Sequence, residues 1–330
     1  MRGIVTLTVN PALDKMTSVP RVICDKKLRC QKIELRPGGG GINVSRAIRN
    51  LGGRSTAFFT AGGHQGKRLS CEVRRCGVDS KAVWIGGETR EHLNVTETKK
   101  GRHYRFVTPG PRLTQSEWKR LRTAVLQQGP PPDYLVMSGS LPPGVPASFY
   151  AGICEGVRRS WPGTRVVIDA GREAVRRAAV RKAVFLIKLN IREFRYLRRK
   201  KLRNTRHILE EAERFVDGGY CRLLVVSMGK RGAVYADSSG ARHLRAPEVK
   251  SRSVTGAGDS MVGAITLALS RKKDVCRAVV EGMAAGASAA ERPPTHLCQR
   301  SGTARWRRQI NRQNGIHNHS RRNSHEDREG

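Results

Sequence analysis

The sequence predicts an α/β protein with a largely parallel central sheet. Apolar runs of strand length occur at Ile4–Val9, Tyr134–Met137, Val166–Ile168, Val184–Ile187 and Leu223–Ser227. Helix-compatible segments separate these runs, and this alternation is typical of parallel strands with helices on both faces. Ligands of such sheets bind at the carboxyl ends of the strands. We expect one crevice to collect the polar residues that follow predicted strands, namely Asp14, Ser138, Asp169, Asn190 and Ser227.

Length and composition agree with one domain that has a large core. The chain has 330 residues, of which 38% are hydrophobic. No apolar run approaches the roughly 18 residues of a membrane span, and no signal-peptide pattern opens the chain. The eight cysteines lack the spacing of metal ligands or of a disulfide framework, so free thiols are expected. These features predict a cytoplasmic protein without metal-binding cysteines.

Two segments fall outside the alternation of strands and helices. Lys27–Leu35 and Asn94–Val107 have the composition of strands, and the second contains a turn at Lys100-Gly101. We expect them to form a separate small β structure.

The segment Ser253–Ser260 joins a glycine-rich turn to a carboxylate and an apolar run. The residues Gly256, Ala257 and Gly258 let backbone N–H groups converge at the start of a helix, which favours an anion. Asp259 would then accept a proton from a hydroxyl that attacks phosphorus. The alternative is that Asp259 only caps the helix.

A second glycine-rich stretch, Gly38–Asn43, precedes a segment with helical spacing of apolar residues. Backbone without side chains lets a ligand approach closely, and Asn43 offers amide groups to a polyol. The stretch is neither a Walker loop nor a dinucleotide fingerprint. A plain flexible loop remains the alternative.

Together, Gly38–Asn43 and Ser253–Ser260 resemble the two signatures of the ribokinase-like sugar kinases, in the phosphofructokinase B branch. Further motifs that resemble this family in order are Thr6–Asp14, Lys27–Cys30, Tyr104–Val107, Ser138–Gly144 and Gly258–Gly263. The resemblance extends from Met1 to about Ala290. It implies a three-layer sandwich with a mainly parallel central sheet and a small β lid. The kinase domain would span residues 1–298, with lid strands at about 15–36 and 88–107, and the lid would pair two subunits into a homodimer.

The resemblance also implies an activity. It is ATP-dependent phosphorylation of fructose 6-phosphate at the C1 hydroxyl, which gives fructose 1,6-bisphosphate in glycolysis. Two alternatives remain: a kinase of tagatose 6-phosphate or fructose 1-phosphate, and a weakly active descendant that binds ligands or polyanions. Lys27–Cys30 and Ser260–Val262 favour the first activity over the neighbouring sugar phosphates.

The sugar-binding residues follow from the same resemblance. The sugar hydroxyls would be bound by Asp14, Gly38, Gly39, Asn43, Ser138 and Ser140. The phosphate already on the sugar would be bound by Lys27, Arg29, Arg90 and Arg105, because cationic side chains suit a dianion. Catalysis would rest on Asp259 and on the anion turn of Gly256, Ala257 and Gly258.

The nucleotide side resembles the family with departures. The nucleotide would be bound by Lys188, Asn190, Ser227, Gly229 and Gly232. Asn190 and Glu193 would organise Mg²⁺ through water, and Ser253 and Thr255 would contact K⁺. The departures are Leu189 for a proline, Arg172 for a glycine, and Arg292 and Pro294 for an Asn and a Gly. We expect the last two to impair K⁺ binding.

The end of the chain and the chain as a whole are strongly basic. Residues 299–330 are basic and show no evident helical apolar stripe, which predicts a disordered tail and suggests a reading-frame change. The formal net charge is +36, from 63 Lys and Arg against 27 Asp and Glu. These charges are scattered, and no nucleic-acid-binding module is recognisable, so only non-specific polyanion binding is expected.

Overall fold

The computed structural model describes residues 3–316. Its strands are β1 (Ile4–Thr8), β2 (Ala12–Val19), β3 (Glu34–Gly38), β4 (Ser55–Ala61), β5 (Asp79–Trp84), β6 (Arg90–Glu97), β7 (Arg102–Val107), β8 (Tyr134–Gly139), β9 (Arg165–Ala170), β10 (Leu186–Asn190), β11 (Leu223–Ser227), β12 (Ala233–Asp237) and β13 (Gly240–Leu244). Its helices are α1 (Gly40–Asn50), α2 (Gly63–Arg75), α3 (Gln115–Leu126), α4 (Phe149–Ser160), α5 (Arg172–Ala179), α6 (Ile191–Arg198), α7 (Thr205–Asp217), α8 (Ala257–Ser270), α9 (Val275–Ala290) and α10 (Arg300–Gln313).

The central sheet has nine strands in the order β13-β12-β11-β10-β9-β8-β1-β4-β5. All strands from β11 to β5 in this order run parallel, and β12 and β13 add an antiparallel hairpin at one edge. The predicted mainly parallel α/β sheet is therefore confirmed. The carboxyl ends of its parallel strands lie at one edge of the sheet, where ligands of such sheets bind.

Helices cover both faces of this sheet. In β8, Leu135 and Met137 pack into one hydrophobic cluster, whereas Tyr134 and Val136 pack into another on the opposite face. The first cluster includes residues of α3 to α7, and the second includes residues of α1, α8, α9 and α10. Because successive side chains of a strand point to opposite faces, strands that are apolar throughout require this double covering.

A separate four-stranded sheet, with the order β3-β2-β6-β7, forms the lid. The prediction of strands within 88–107 is confirmed, since β6 and β7 pair antiparallel across a turn with Gly101 at φ +64°. The prediction of a strand at Lys27–Leu35 is wrong for most of its length. Residues 21–33 form no strand and are mostly exposed, and only Glu34 and Leu35 belong to β3. The two inner strands of the lid are β2 and β6, because each pairs with two neighbours, whereas residues 27–33 have no such ladder.

The chain end contains a helix that the sequence analysis missed. The expectation of disorder is wrong for α10, where Thr303, Trp306 and Ile310 are buried at helical spacing. Trp306 and Ile310 pack into the cluster of α8 and α9, and the Trp306 Nε1 donates to Glu291 Oε2 at 2.8 Å. Tertiary packing thus stabilises a helix whose sequence is dominated by arginine. The remainder of the predicted tail, residues 317–330, lies outside the described residues.

Two further observations concern the chain as a whole. Within residues 3–316, no helix combines the length and the apolar character needed to cross a membrane. All eight cysteines lie within these residues as free thiols.

Candidate active site

The predicted crevice lies at the carboxyl ends of the parallel strands. Ser138 is the register partner of Asp169, and Asn190 is the register partner of Ser227. Four predicted residues therefore follow the same edge of the sheet. Asp14 is different, because it lies inside β2 of the lid, rather than after a strand of the central sheet.

The glycine turn before α8 has the predicted form. Gly256 has φ +83°, and a Cβ on it would lie 2.7 Å from Leu297 Cδ2, so a side chain is excluded by backbone conformation and by space. Ala257 is the first residue of α8, and the N-terminus carries no side-chain cap. Asp259 in the first helical turn is instead hydrogen-bonded by Asn43 Nδ2, at 2.9 Å from Oδ2. The helix-cap alternative for Asp259 is therefore wrong.

The surroundings of Asp259 raise its pKa above that of an aspartate in water. Burial raises the pKa of Asp259 to about 6, with a further increase from the neighbouring Asp169, against the lowering effects of Asn43 and Lys188. A carboxyl group with such a pKa is ionised at neutral pH and accepts a proton more readily than an ordinary aspartate.

The stretch Gly38–Asn43 is not a flexible loop. Gly39 precedes α1 with φ +114°, and α1 starts at Gly40. A Cβ on Gly38 would lie 2.6 Å from Asp14 Oδ2, and one on Gly40 would lie 2.2 Å from Ser138 Oγ. These glycines bring the lid, α1 and β8 together around one space.

Arg46 fixes the position of Asn43. Its Nη1 donates to Asn43 Oδ1 at 2.9 Å and to the Pro37 carbonyl at 2.8 Å. Because the Asn43 oxygen is occupied in this way, its amide nitrogen points to Asp259. Sequence reasoning missed Arg46, although its position one helical turn after Asn43 was a usable signal.

Asp14 is deeply buried in the lid and bonded to a histidine. Its Oδ1 lies 3.1 Å from His92 Nδ1, and both side chains are about 4% exposed or less. Arg105 Nη2 lies 3.9 Å from the same carboxylate oxygen, so this arginine reaches the cleft from β7. His92 was also missed; only the register of β2 with β6, which pairs it with Asp14, reveals it.

Arg90 is held by backbone carbonyls. Its Nη2 donates to Asn10 at 2.8 Å, its Nη1 to Thr108 at 3.2 Å, and its Nε to Pro11 at 3.3 Å. Burial lowers the pKa of Arg90, and the neighbouring Arg105 lowers it further. Two guanidinium groups therefore stand close together beside Asp14.

The two predicted serines lie on the same side of the cleft. Ser138 Oγ is buried and has no hydrogen-bond partner among the described residues. Ser140 Oγ accepts from Asn10 Nδ2 at 3.2 Å.

Lys188 is surrounded by carboxylates. Its Nζ lies 3.3 Å from Asp169 Oδ2, and both side chains are largely buried. Although burial lowers the pKa of Lys188, Asp169, Glu193 and Asp259 together raise it above its usual value. Lys188 therefore remains a cation, and its Nζ would lie 2.9 Å from a Cβ on Gly258 in the anion turn.

The replacement of the family's proline by Leu189 leaves the next turn intact. Asn190 Oδ1 accepts from the backbone of Arg192 and Glu193, while Glu193 Oε2 accepts from the backbone of Asn190 at 2.7 Å. This reciprocal capping box starts α6. Asn190 and Glu193 thus keep this turn without the proline.

The remaining nucleotide-side residues form short turns. Gly229 and Gly232 have φ of +61° and +93°, and a Cβ on Gly232 would lie 1.9 Å from the Leu244 carbonyl oxygen. Ser227 Oγ donates to the Leu189 carbonyl. Ser253 Oγ accepts from Thr255 N at 3.1 Å, so both predicted potassium ligands belong to one turn before α8.

Three further cationic residues were singled out in the sequence, namely Lys27, Arg29 and Arg172. Lys27 and Arg29 occupy the exposed segment 21–33, and the hydrogen-bond partners of Asp14 and Arg90 do not include them. The guanidinium of Arg172 stacks on the Tyr196 ring at 4.5 Å. Its bulk is thereby accommodated next to α6.

Comparison with known proteins agrees with this geometry. The ATP-dependent 6-phosphofructokinase isozyme 2 of Mycobacterium tuberculosis (strain ATCC 25618 / H37Rv) is 38% identical over 303 residues, which cover 92% of this chain and 88% of that protein. The crystal structure of phosphofructokinase-2 from Escherichia coli in complex with substrates and products has a TM-score of 0.88 at 36% identity, covering 93% of this chain and 99% of that one. Other structures of the same protein hold fructose-6-phosphate or potassium, and one is a tetrameric inhibited form.

Ribokinase from Thermotoga maritima shares the fold, with a TM-score of 0.71 at 17% identity. The predicted ribokinase-like architecture is therefore confirmed. The model of the pfkB family of carbohydrate kinases matches residues 9–301. With its glycine turn, buried Asp259 and lid, the chain belongs to the pfkB family of carbohydrate kinases.

Proposed function

We propose that the protein transfers the γ-phosphoryl group of ATP to the C1 hydroxyl of fructose 6-phosphate. The observation that carries this proposal is Asp259, which lies behind the glycine turn of α8 and is oriented by Asn43. The similarity to 6-phosphofructokinases at 38% identity supports the choice of sugar.

Asp259 acts as the general base. Its carboxylate accepts the proton of the C1 hydroxyl while the hydroxyl oxygen forms a bond to the γ-phosphorus. The bond between that phosphorus and the bridging oxygen breaks, and ADP leaves with the bond's electron pair. The pKa of about 6 keeps Asp259 ionised at neutral pH.

The turn Gly256–Gly258 and Lys188 balance the negative charge of the transferring phosphoryl group. Backbone N–H groups at the start of α8 point to this position, and the helix dipole adds to their effect. The buried Lys188 adds a full positive charge nearby. Ser227, Gly229 and Gly232 would contact the nucleotide along the adjacent strand ends.

Sugar recognition falls to the lid and α1. Asp14 and Asn43 would bind the sugar hydroxyls, with the unpartnered Ser138 hydroxyl beside them. Arg90 and Arg105 would hold the phosphate of the sugar, because two neighbouring guanidinium groups are stabilised by an anion between them. Lys27 and Arg29 stay predictions for the same role.

Magnesium would bind on the side of Glu193. The donor set fits a water-mediated site: Asn190 and one oxygen of Glu193 serve the capping box, and the other oxygen of Glu193 has no partner among the described residues. In residues 3–316 no cluster of three or more His, Cys, Asp or Glu could hold a metal directly. When bound, Mg²⁺ neutralises charge on the β- and γ-phosphates.

Potassium would bind between the Ser253–Thr255 turn and the segment after α9. The buried Thr295 Oγ1 lacks a partner in the described structure, which fits a cation that takes oxygen ligands. The structure of the Escherichia coli protein in complex with potassium supports the choice of this cation. Arg292 in this segment opposes it by its charge.

A homodimer through the lid would cover apolar side chains. Phe106 and Val107 on the edge strand β7 are 56% and 59% exposed, and Leu93 opposite Phe106 is 38% exposed. Light scattering at raised salt should report twice the chain mass; a monomer with full activity would rule the dimer out.

The eight free thiols support a reducing, cytoplasmic location.

A coupled assay of ADP release tests the proposed reaction. Fructose 6-phosphate should be preferred over tagatose 6-phosphate and fructose 1-phosphate in kcat/KM, with ATP and Mg²⁺ present. Preference for either other sugar phosphate would replace the proposed substrate. Sugar-phosphate binding without turnover of any of the three would leave the chain as a weakly active descendant.

A further inference from the structure

A second cleft, of about 900 Å³, lies between α1, the segment 292–298 and the start of α10. Four arginines line it, namely Arg36, Arg46, Arg292 and Arg300. No carboxylate is among its lining residues in the described part of the chain. Like charges so close to one another repel, and a low-dielectric wall strengthens the repulsion. The positive charge of the cleft is therefore not balanced by its own lining residues.

Arg46 is the innermost of these arginines. Its side chain belongs to a residue that is only 7% exposed. Within residues 3–316 it forms no ion pair, and its hydrogen bonds go to an amide oxygen and a carbonyl, neither of which is charged. Burial lowers the pKa of Arg46; the nearby Cys76 thiol and Asp14 oppose this effect, and the neighbouring Arg36 adds to the lowering. A buried cation without a counter-ion is costly unless an anion completes the site.

Arg36 offers a second unsatisfied donor. Its Nε is buried and has no partner among the described residues. Its Nη2 donates to Glu34 Oε2 at 2.9 Å, but the Glu34 side chain is 59% exposed and compensates the charge weakly. The same Nη2 lies 2.8 Å from His296 Nε2, which accepts from it as a neutral imidazole.

The start of α10 adds backbone donors on the same side. Its N-cap residue Gln299 makes no side-chain cap, and its first turn contains no acidic residue. Gln299, Arg300 and Ser301 all line the cleft. A helix N-terminus without an acidic cap favours an anion.

We propose that this cleft binds a small ligand that carries two or more phosphate groups. Guanidinium groups match phosphate oxygens in pairs, and the cleft is lined by arginines on several sides and is too large for a single phosphate to fill. The cleft lies beside the proposed active site: Arg46 also holds Asn43, and Arg292 belongs to the segment proposed for potassium. Substitution of Arg46 would disturb both sites and is unsuitable as a test.

The test is isothermal titration calorimetry of the full chain with tripolyphosphate and with inorganic phosphate, near physiological salt. Tripolyphosphate should bind the more tightly. Arg36→Gln should weaken its binding at least about tenfold, and the exposed Arg300→Gln by about threefold, as expected for lost charge-assisted contacts. The matched control is Arg308→Gln, which removes the same charge from an exposed position of the same helix.

Each contrary result overturns the proposal. Equal losses in Arg300→Gln and Arg308→Gln would show diffuse attraction by the net charge of +36. Binding that neither Arg36→Gln nor Arg300→Gln weakens would place the anion outside the cleft. Absence of tripolyphosphate binding to the unsubstituted protein would leave the arginines without a ligand of this class. Because Arg300 is exposed, its variant keeps the test valid if Arg36→Gln fails to fold.

Discussion

The sugar side and the nucleotide side of the proposed active site are built differently. On the sugar side, side chains far apart in the sequence bind one another: Asp14 contacts His92, and Asn43 contacts Asp259. On the nucleotide side, contacts are mainly local, as in the Asn190–Glu193 capping box and the Gly229–Gly232 turn. Long-range contacts preorganise the sugar side before any ligand arrives, whereas the nucleotide side depends on short turns.

The difference extends to the segment before α8. Residues 245–252 form no helix or strand, and Val254 is 80% exposed. By contrast, Met261 to Leu269, just after the anion turn, are all buried. Asp259, the proposed base, thus lies on a buried helix, and the segment that leads into this helix is irregular and partly exposed. We expect substitutions on the sugar side to change catalysis and sugar binding. Substitutions on the nucleotide side should change nucleotide binding.

The largest expected effect is at Asp259, which lies between the sugar side and the nucleotide side. Asp259→Asn should lower kcat by about 10²- to 10⁴-fold, the usual contribution of a general base. Fructose 6-phosphate binding, measured by calorimetry, should change little because Asn43 and the lid remain. The control Asp79→Asn, an exposed carboxylate on β5, should retain full activity. Substantial activity in Asp259→Asn would show that another group takes the proton.

The next effect tests the sugar side alone. Arg105→Ala should raise the KM for fructose 6-phosphate by about ten- to a hundredfold, because a charge-assisted contact contributes about 1.5–3 kcal/mol. The KM for ATP should stay constant. Arg102→Ala, on the same exposed strand, is the matched control. The preference over unphosphorylated fructose should shrink only in Arg105→Ala; equal losses for both sugars would mean that Arg105 does not contact the phosphate.

Lys27→Ala sharpens the same comparison. We expect a similar rise in the KM for the sugar phosphate, although Lys27 lies on the exposed segment 21–33. An unchanged KM in steady-state kinetics would remove Lys27 from the site. The phosphate of the sugar would then be bound by Arg90 and Arg105 without Lys27.

The pH dependence reports on Asp259 directly. Its pKa is raised to about 6, so the ionised base is present above that pH and is lost as the pH falls through it. We expect kcat/KM to drop about tenfold per pH unit below the midpoint, with protonated Asp259 unable to accept the proton. A profile that stays flat down to pH 5 would contradict the assignment of the base.

The smallest expected effect tests the nucleotide side. Restoring the family residues by Arg292→Asn with Pro294→Gly should improve potassium activation by about two- to tenfold, because a charge of the same sign as K⁺ is removed. ATP affinity should improve with it, because the same loop is expected to support the nucleotide. Fructose 6-phosphate binding should not change. If the unsubstituted protein already binds ATP tightly and responds to potassium, the replacement of these residues has no functional effect.

Much of the architecture could be predicted because its signals are local. The apolar runs at Tyr134–Met137 and Leu223–Ser227 became β8 and β11, since a strand buried on both faces has no other pattern. The turn at Gly256 was evident because it needs a positive φ. Failures occurred where local pattern was weak: the segment at Lys27–Leu35 has strand-like composition, but within residues 27–33 only Gln31 hydrogen-bonds to β2, and no ladder forms.

By itself, the sequence determined the layered α/β fold and the family and singled out Asp259 as the candidate base, because strand periodicity, glycine turns and charge are properties of neighbouring residues. Only the tertiary structure decided that His92 binds Asp14, that Arg46 orients Asn43 and that the arginine-rich α10 folds. These outcomes depend on burial and on strand register between distant segments. The free energy of burying Trp306 and Ile310 comes from α8 and α9, which no inspection of residues 300–313 alone reveals.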